Sequence, residues 1–177
     1  MKQKSHKAII LSGSSGTGKT TIAQHLLKNN VGVGFSVSAC TRPRRLHEVH
    51  GKDYYFLSVP EFKRKIDQDA FIEWEEVYAG SYYGTFKTEV ESIRAVDKVA
   101  LFDIDVQGGL KLKSYFKENA IAVYVEVPSL QILTERLRKR ATESEEKIRC
   151  RINKTTKEAS LASQFDEILV NLSLIHI

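Results

Sequence analysis

The eight residues GSSGTGKT, numbered 13–20, decide how the rest of this 177-residue chain is interpreted. They match G-x-x-x-x-G-K-[ST], follow the apolar run KAIILS at 7–12, and precede a segment at 19–28 with apolar residues at helical spacing. Glycines let such a loop turn several backbone N–H groups toward one anion, and the next helix adds its positive end. The motif in this strand–loop–helix order predicts a site for nucleotide phosphates, but it does not specify the reaction.

Three side chains follow from the chemistry of this loop. Lys19 can reach the β- and γ-phosphates of a nucleotide, and the Thr20 hydroxyl can coordinate Mg²⁺. Asp103 lies in the apolar run VALFDI at 99–104, where phosphate-loop proteins place the acidic residue that holds Mg²⁺. An aspartate that caps the next helix is the competing interpretation. We therefore expect a Mg²⁺ site at Thr20 and Asp103.

Apolar runs alternate with helical patterns along most of the chain. The β-branched runs at 99–104 and 120–127 are typical of central strands in a parallel sheet. Strands that alternate with crossover helices predict an α/β fold of the phosphate-loop (P-loop) NTPase type, a parallel sheet flanked by helices. Further strands are predicted at 34–38 and 167–170, and helices from near Gly108, at 130–140 and from 145 to about 164.

The stretch from about residue 36 to 87 has a different pattern. Short strand-like pieces occur at 54–57, 71–74 and 82–86, and Ser58, Pro60 and Glu61 mark the start of one short helix. We interpret this stretch as a small mixed α/β lobe inserted into a single domain that spans 1–177. The core of that domain is then expected at 1–35 and 88–177.

Composition and charge limit the class of protein. Hydrophobic residues make up 42% of the chain, no apolar run approaches the roughly 20 residues of a membrane-spanning helix, and the polar start lacks the apolar stretch of a signal peptide. Cys40 and Cys150 form no CxxC pair and are expected to be reduced thiols. The net charge of +5 includes arginines grouped within 42–45 and 136–140, which suits a phosphate pocket better than a nucleic-acid surface. We therefore expect a cytoplasmic protein with no membrane and no nucleic-acid partner.

Four further segments narrow the interpretation: SVSACTRPRR at 36–45, EVHGKDYYF at 48–56, FIEW at 71–74 with GSYYGT at 80–85, and DIDVQG at 103–108. Together with the loop at 13–20, they resemble the guanylate kinase family up to about residue 171. The resemblance implies transfer of the terminal phosphoryl group of ATP to GMP, with Mg²⁺ as cofactor and dGMP as a further expected acceptor. The oligomeric state, monomer or homodimer, stays open.

The resemblance also implies an acceptor site. Arg42 and Arg45 match the phosphate-binding arginines of the family, and guanidinium forks suit phosphate oxygens. Tyr54 and Tyr83 match its phosphate-binding tyrosines.

The resemblance places guanine recognition at two carboxylates, Glu73 and Asp105. Ionised carboxylates accept hydrogen bonds from the N1–H and N2 amine of guanine, whereas adenine leaves them poorly paired. Spacing alone favours Glu73 as an outward residue of an alternating strand, and the resemblance overrides that interpretation. Ser38 and Thr85 are expected to add hydroxyl contacts.

A helical lid is implied at about 138–150. Arg136, Arg140 and Arg151 match the lid arginines of the family, and with Lys19 and Arg42 they form the expected catalytic set. We expect direct in-line transfer without a covalent intermediate, because a GMP phosphate oxygen is already a competent nucleophile. The expected ATP-binding residues are Gly13, Ser14, Ser15, Gly16, Thr17, Gly18, Lys19, Thr20, Thr21 and Asn171.

Two alternatives stay open. One is a non-catalytic module of this fold that binds phosphorylated partners, although such modules have a degraded phosphate loop and Gly18, Lys19 and Thr20 are intact here. The other is a P-loop kinase of another small phosphorylated acceptor, against which Glu73 and Asp105 argue.

The end of the chain departs from the family pattern. Residues 172–177, LSLIHI, are apolar where a polar turn and a closing helix are expected. They read like a translated sequencing adapter, so we expect an artificial end. A genuine short terminus is the alternative.

Overall fold

The computed structural model describes residues 7–29, 32–139 and 145–172, and nine strands, six α-helices and two short 3-10 helices lie within them. The strands are β1 (Ala8–Ser12), β2 (Val33–Phe35), β3 (Ala39–Cys40), β4 (Tyr55–Phe56), β5 (Phe71–Tyr78), β6 (Ser81–Phe86), β7 (Val99–Ile104), β8 (Ala120–Glu126) and β9 (Glu167–Val170). The helices are α1 (Lys19–Asn29), α2 (Val59–Asp67), α3 (Lys87–Ala95), α4 (Val106–Phe116), α5 (Leu130–Lys139) and α6 (Glu145–Ala159).

Five strands form a parallel sheet in the order β2-β7-β1-β8-β9. At the end of the central strand β1, Ser12 is in register with Ile104 of β7 and Tyr124 of β8. Because all of these strands run the same way, the segments that follow them emerge at one edge of the sheet. The predicted α/β fold with a parallel sheet flanked by helices is confirmed.

Helices cover both faces of this sheet. On one face Phe102 packs with Leu112 and Phe116 of α4, and on the other Leu101 packs with Ile22 of α1. Burial on both faces explains why the strands read as continuous apolar runs. In the part of the chain that the structure describes, none of the helices has the length and apolarity needed to cross a membrane.

The inserted lobe is built on a second sheet, in the order β4-β3-β6-β5, covered by α2. The predicted start of α2 is confirmed, since Ser58 and Glu61 form a reciprocal capping box. Phe62 of α2 is fully buried, with its ring stacked on Phe71 at a centroid distance of 4.6 Å. This sheet lies within the predicted range 36–87, while the division into domains stays a prediction.

Two predicted details are wrong, and one element was missed. The strand predicted at 34–38 ends at Phe35, because Ser38 already faces the lobe and its carbonyl accepts a hydrogen bond from Tyr55 N. The helix predicted to reach about 164 ends at Ala159, where the chain turns to bury Phe165 against Tyr124. Helix α3 was not predicted.

The lobe depends on the burial of Phe62, and this gives a test. Phe62→Ala should lower the free energy of unfolding by about 3 to 5 kcal/mol, because it removes a buried ring and leaves a cavity beside Phe71. Urea unfolding followed by circular dichroism measures the change. The control is Leu46→Ala, whose side chain is 91% exposed and should change stability by less than about 0.5 kcal/mol. Equal effects of the two substitutions would contradict the role of Phe62.

Candidate active site

The phosphate loop connects the end of β1 to the start of α1. Gly13, Gly16 and Gly18 have φ angles of +146°, +96° and +96°, which L side chains rarely adopt. Space also requires glycine, because a Cβ at Gly13 would collide with the carbonyl oxygen of Val125 and one at Gly16 would lie 2.9 Å from a methyl carbon of Leu133. The loop is therefore confined to one curled path between β8 and α5.

Lys19 folds back over this loop. Its Nζ donates hydrogen bonds to the carbonyl oxygens of Gly13 at 2.8 Å and Ser14 at 3.0 Å, and it lies 4.0 Å from Oδ1 of Asp103. The side chain lines the cleft described below. Its ammonium is thus already held beside the loop at which phosphate oxygens are expected.

Asp103 and Asp105 lie at the end of β7 and differ in role. Oδ2 of Asp103 accepts a hydrogen bond from the Thr20 hydroxyl at 2.5 Å, whereas Oδ1 of Asp105 accepts one from the backbone N–H of Gly108 at 2.8 Å. Asp105 is therefore the N-cap of α4. The capping role that the sequence left open for Asp103 belongs to Asp105.

Asn171 and Arg136 brace the loop from the other side. Asn171 follows β9, is 4% exposed, and donates from Nδ2 to the carbonyl oxygen of Thr17 at 2.8 Å. Arg136 of α5 donates to the carbonyl oxygens of Asn171 at 3.1 Å and Thr17 at 3.5 Å. Both side chains contact the loop backbone and do not line the cleft.

The lobe holds Arg42 by a bidentate pair with Glu48. The two guanidinium Nη atoms lie 2.7 Å and 2.5 Å from the Glu48 oxygens, and these hydrogen bonds hold the pKa of Glu48 below its usual range. The guanidinium carbon lies 4.8 Å from the ring centroid of Tyr54. Sequence analysis assigned no role to Glu48, which orients the guanidinium plane.

Tyr54 and Tyr83 meet edge to face, with ring centroids 6.2 Å apart. Burial raises the pKa of both hydroxyls, and the charge of Asp103 raises that of Tyr54 further. Both hydroxyls therefore stay protonated at neutral pH and can donate hydrogen bonds to an anion.

Glu73 lies on β5 opposite Thr85 of β6, and its side chain lines the cleft described below. A bulge between Phe71 and Glu73 separates this face from the one on which the Phe71 ring is buried. The Glu73 side chain is 6% exposed, and its Oε1 accepts a hydrogen bond from the Thr85 hydroxyl at 2.6 Å. Burial raises the pKa of Glu73 to about 7, opposed by the Thr85 hydrogen bond and assisted by the charge of Asp105. The outward orientation that spacing alone favours for Glu73 is wrong.

Two functional candidates on α6 were missed by sequence analysis. Glu158 accepts a hydrogen bond from the Ser14 hydroxyl of the phosphate loop at 2.5 Å, and Lys154 forms ion pairs with both Asp105 and Glu158. Both residues line the cleft with Arg151. Arg151, Lys154 and Glu158 are spaced three and four residues apart, so they share one face of the helix. This spacing was the available signal that Lys154 and Glu158 belong to the same site as Arg151.

One cleft between the two sheets contains most of the predicted site residues. Those that line it are Gly13, Ser14, Ser15, Gly16, Gly18, Lys19, Thr20, Ser38, Arg42, Arg45, Tyr54, Glu73, Tyr83, Asp103, Asp105 and Arg151. Outside its lining are Thr17, Thr21, Thr85, Arg136 and Asn171. Arg140 lies outside the described residues, as does the middle of the predicted lid at 140–144.

The fold and the cleft define a class of protein. A curled glycine loop that carries a lysine, at the carboxyl edge of a parallel sheet, is the phosphate site of P-loop nucleotide-binding proteins. Across the cleft, a lobe lined by arginine and tyrosine side chains forms a second site for an anion.

Comparison with known proteins identifies the family within this class. The guanylate kinase family model matches residues 5–176. The guanylate kinase of Bacteroides thetaiotaomicron is 44% identical over 171 residues, which are 97% of this chain and 84% of that protein. The guanylate kinase of Porphyromonas gingivalis is 44% identical over 170 residues, or 96% and 90%. The crystal structure of guanylate kinase from Anaplasma phagocytophilum matches with a TM-score of 0.74 and 30% identity, over 98% of this chain and 80% of that one. The chain belongs to the guanylate kinase family, which confirms the resemblance.

The raised pKa of Glu73 predicts a pH-dependent cost to stability. Between about pH 4.5 and 7 the folded protein retains a proton that the unfolded chain has lost, so this group contributes less stability as pH rises through 7. Glu73→Gln removes the titration. The free energy of unfolding of Glu73→Gln minus that of the parent should therefore be about 2 to 3 kcal/mol larger at pH 8 than at pH 5.

Urea unfolding at the two pH values measures this difference without substrate. Glu91→Gln is the control, because Glu91 is exposed and the change should have the same small effect at both pH values. A Glu73→Gln effect that does not vary with pH would show that the Glu73 pKa is ordinary.

Proposed function

We propose that this chain catalyses transfer of the γ-phosphoryl group of ATP to GMP, giving ADP and GDP, and that dGMP is also accepted. The observation that carries the proposal is the single cleft lined at one end by the intact phosphate loop with Lys19 and at the other by Arg42 and Glu73 of the lobe. Membership of the guanylate kinase family supports the same reaction.

The acceptor phosphate binds between Arg42, Arg45, Tyr54 and Tyr83. The bidentate bond to Glu48 and the contact with Tyr54 already orient the Arg42 guanidinium, so little side-chain entropy remains to be lost on binding. The protonated tyrosine hydroxyls donate to phosphate oxygens. The acceptor dianion is therefore bound in one orientation with its charge partly neutralised.

The guanine base is recognised by Glu73 and Asp105, with Ser38 and Thr85 in support. The carboxylates accept hydrogen bonds from N1–H and the N2 amine, and Thr85 fixes one oxygen of Glu73. Adenine presents no donor at N1 and no amine at C2, so AMP would leave the Glu73 and Asp105 carboxylates without the hydrogen bonds that guanine donates.

The loop residues at 13–21 bind the phosphates of ATP, and Asn171 supports the loop from the adenine side. Lys19, Arg140 and Arg151 stabilise the charge on the moving phosphoryl group. Arg136 adds its positive charge from behind the loop, where it is bonded to the Thr17 carbonyl oxygen. Arg42 aligns the acceptor oxygen in line with the leaving oxygen of ADP. No dedicated base is needed, because the attacking phosphate oxygen carries negative charge.

Thr20 and Asp103 are the residues that would hold Mg²⁺. Their hydroxyl and carboxylate oxygens are 2.5 Å apart at the mouth of the loop, and hard oxygen donors of this kind suit Mg²⁺. The bound ion would neutralise charge on the ATP phosphates. The two cysteines are unpaired thiols, which suits an enzyme of the reducing cytoplasm.

A coupled assay of ADP formation with ATP and each of GMP, dGMP, AMP, CMP and UMP tests the reaction. GMP should give the highest kcat/KM. Binding of GMP without turnover would indicate a non-catalytic module, and turnover of another acceptor alone would indicate a different kinase.

Lys19→Ala should lower kcat by about 100- to 1000-fold, because it removes a positive charge that stabilises the moving phosphoryl group without disturbing the core. The coupled assay with GMP measures the loss, and a thermal melt checks the fold. Lys28→Ala, an exposed lysine near the end of α1, should keep parental activity. Retention of most of the turnover by Lys19→Ala would exclude this role.

Glu73→Gln should raise KM for GMP by about 10- to 100-fold and lower the GMP/AMP ratio of kcat/KM, because the amide loses the charge and presents a donor to N1–H. KM for ATP should change little. Glu76→Gln, on the same strand with an exposed side chain, is the matched control. An unchanged GMP/AMP ratio would move base recognition to other residues.

A further inference from the structure

One face of α6 reaches both ends of the cleft. Glu158, 5% exposed, accepts the hydrogen bond from Ser14 of the phosphate loop through Oε2. One turn earlier, the Lys154 ammonium lies 3.5 Å from Oδ2 of Asp105 and 3.4 Å from Oε1 of Glu158. Lys154 therefore connects a carboxylate bound to the phosphate loop with a carboxylate assigned to the guanine base.

The two oxygens that face Lys154 have a shared property. Oδ2 of Asp105 and Oε1 of Glu158 are buried, and within residues 7–29, 32–139 and 145–172 neither has a hydrogen-bond partner. A buried carboxylate oxygen without compensation is costly, and two of them near one another also repel. The ammonium of Lys154 offsets both costs through its ion pairs.

We propose that Lys154 is a positioning residue for recognition of the acceptor: its ammonium fixes the Asp105 carboxylate, and Glu158 fixes the ammonium. This inference rests on the proposed function, in which Asp105 reads guanine. Oδ1 of Asp105 is already held by the N–H of Gly108, so contact with Lys154 at Oδ2 fixes the plane of the carboxylate. A fixed plane presents its lone pairs to the base in one direction.

The surroundings of Lys154 argue against a direct role on the transferred phosphate. Two carboxylates within ion-pair distance neutralise most of its charge, which leaves little to attract a phosphate. The ammonium also lies 5.3 Å from the ring centroid of Tyr78, which holds it further against the wall of the cleft.

Steady-state kinetics of Lys154→Met test this assignment, because methionine keeps the apolar stem and removes the charge. KM for GMP should rise roughly 5- to 50-fold, with kcat and KM for ATP within about twofold, since removing one partner of a half-buried charge pair costs on this scale. Lys154→Arg should recover part of the loss. The matched control is Lys157→Met, an exposed lysine on the same helix, which should behave like the parent.

A double-mutant cycle with Asp105→Asn shows whether Lys154 acts through Asp105. If it does, Lys154→Met should add less than about twofold to the rise in KM for GMP that Asp105→Asn causes alone. Independent, multiplicative effects would overturn the proposal. So would a loss confined to kcat, a rise in KM for ATP equal to that for GMP, or a Lys154→Met variant indistinguishable from Lys157→Met.

The parent chain is assayed with GMP in the same experiment. Absence of GMP phosphorylation in the parent would contradict the proposed function itself. Parental GMP phosphorylation with an unchanged KM for GMP in Lys154→Met would contradict only the role of Lys154.

Discussion

The parallel pairing of β1 with β7 and β8 is the constraint on which the rest of the site depends. It brings the ends of three strands to one edge of the sheet. The phosphate loop follows β1, and Asp103 and Asp105 lie at the end of β7. The third strand contributes by its position, because the Val125 carbonyl leaves no room for a Cβ at Gly13. The same register therefore fixes both the path of the loop and the place of the acidic residues that face it. The inserted lobe lines the same cleft from the other side.

Guanine recognition by a buried carboxylate carries a cost in the free protein. The lobe buries Glu73 as well as the rings of Phe62 and Phe71. This burial raises the pKa of Glu73 to about 7. Near neutral pH the group is thus divided between two protonation states, and only the ionised one is an acceptor at both oxygens, which suits the neighbouring N1–H and N2 donors of guanine. Burial of the carboxylate lowers the stability of the free protein but increases discrimination between the bases. At a solvent-exposed carboxylate, water would replace the hydrogen bonds lost when adenine takes the place of guanine, so little binding energy would be lost.

The sequence predicts well what depends on local patterns. The loop, the strands of the parallel sheet and the capping box at Ser58 and Glu61 each have a short-range signal, and the structure has all of them. Contacts between distant segments have no such signal. Nothing local relates Ser14 to Glu158 across 144 positions, or indicates that Glu48 would form a bidentate pair with Arg42. The inward orientation of Glu73 was likewise hidden, because a strand that alternates around a carboxylate normally exposes it.

Three cations of the cleft bond to groups of the protein itself, and this bears on how the site works. Lys19 bonds to loop carbonyls, Arg42 to Glu48, and Lys154 to two carboxylates. These partners differ in kind. Carbonyl oxygens are neutral and can be exchanged for phosphate oxygens at little electrostatic cost, so Lys19 is available to a substrate. Arg42 keeps further N–H donors beyond the two that Glu48 occupies, so it can bind phosphate without releasing its partner. Lys154, with two carboxylates, is committed to the protein. The partners of these three cations thus distinguish Lys19 and Arg42, which can bind the substrate, from Lys154, which stabilises the geometry of the site.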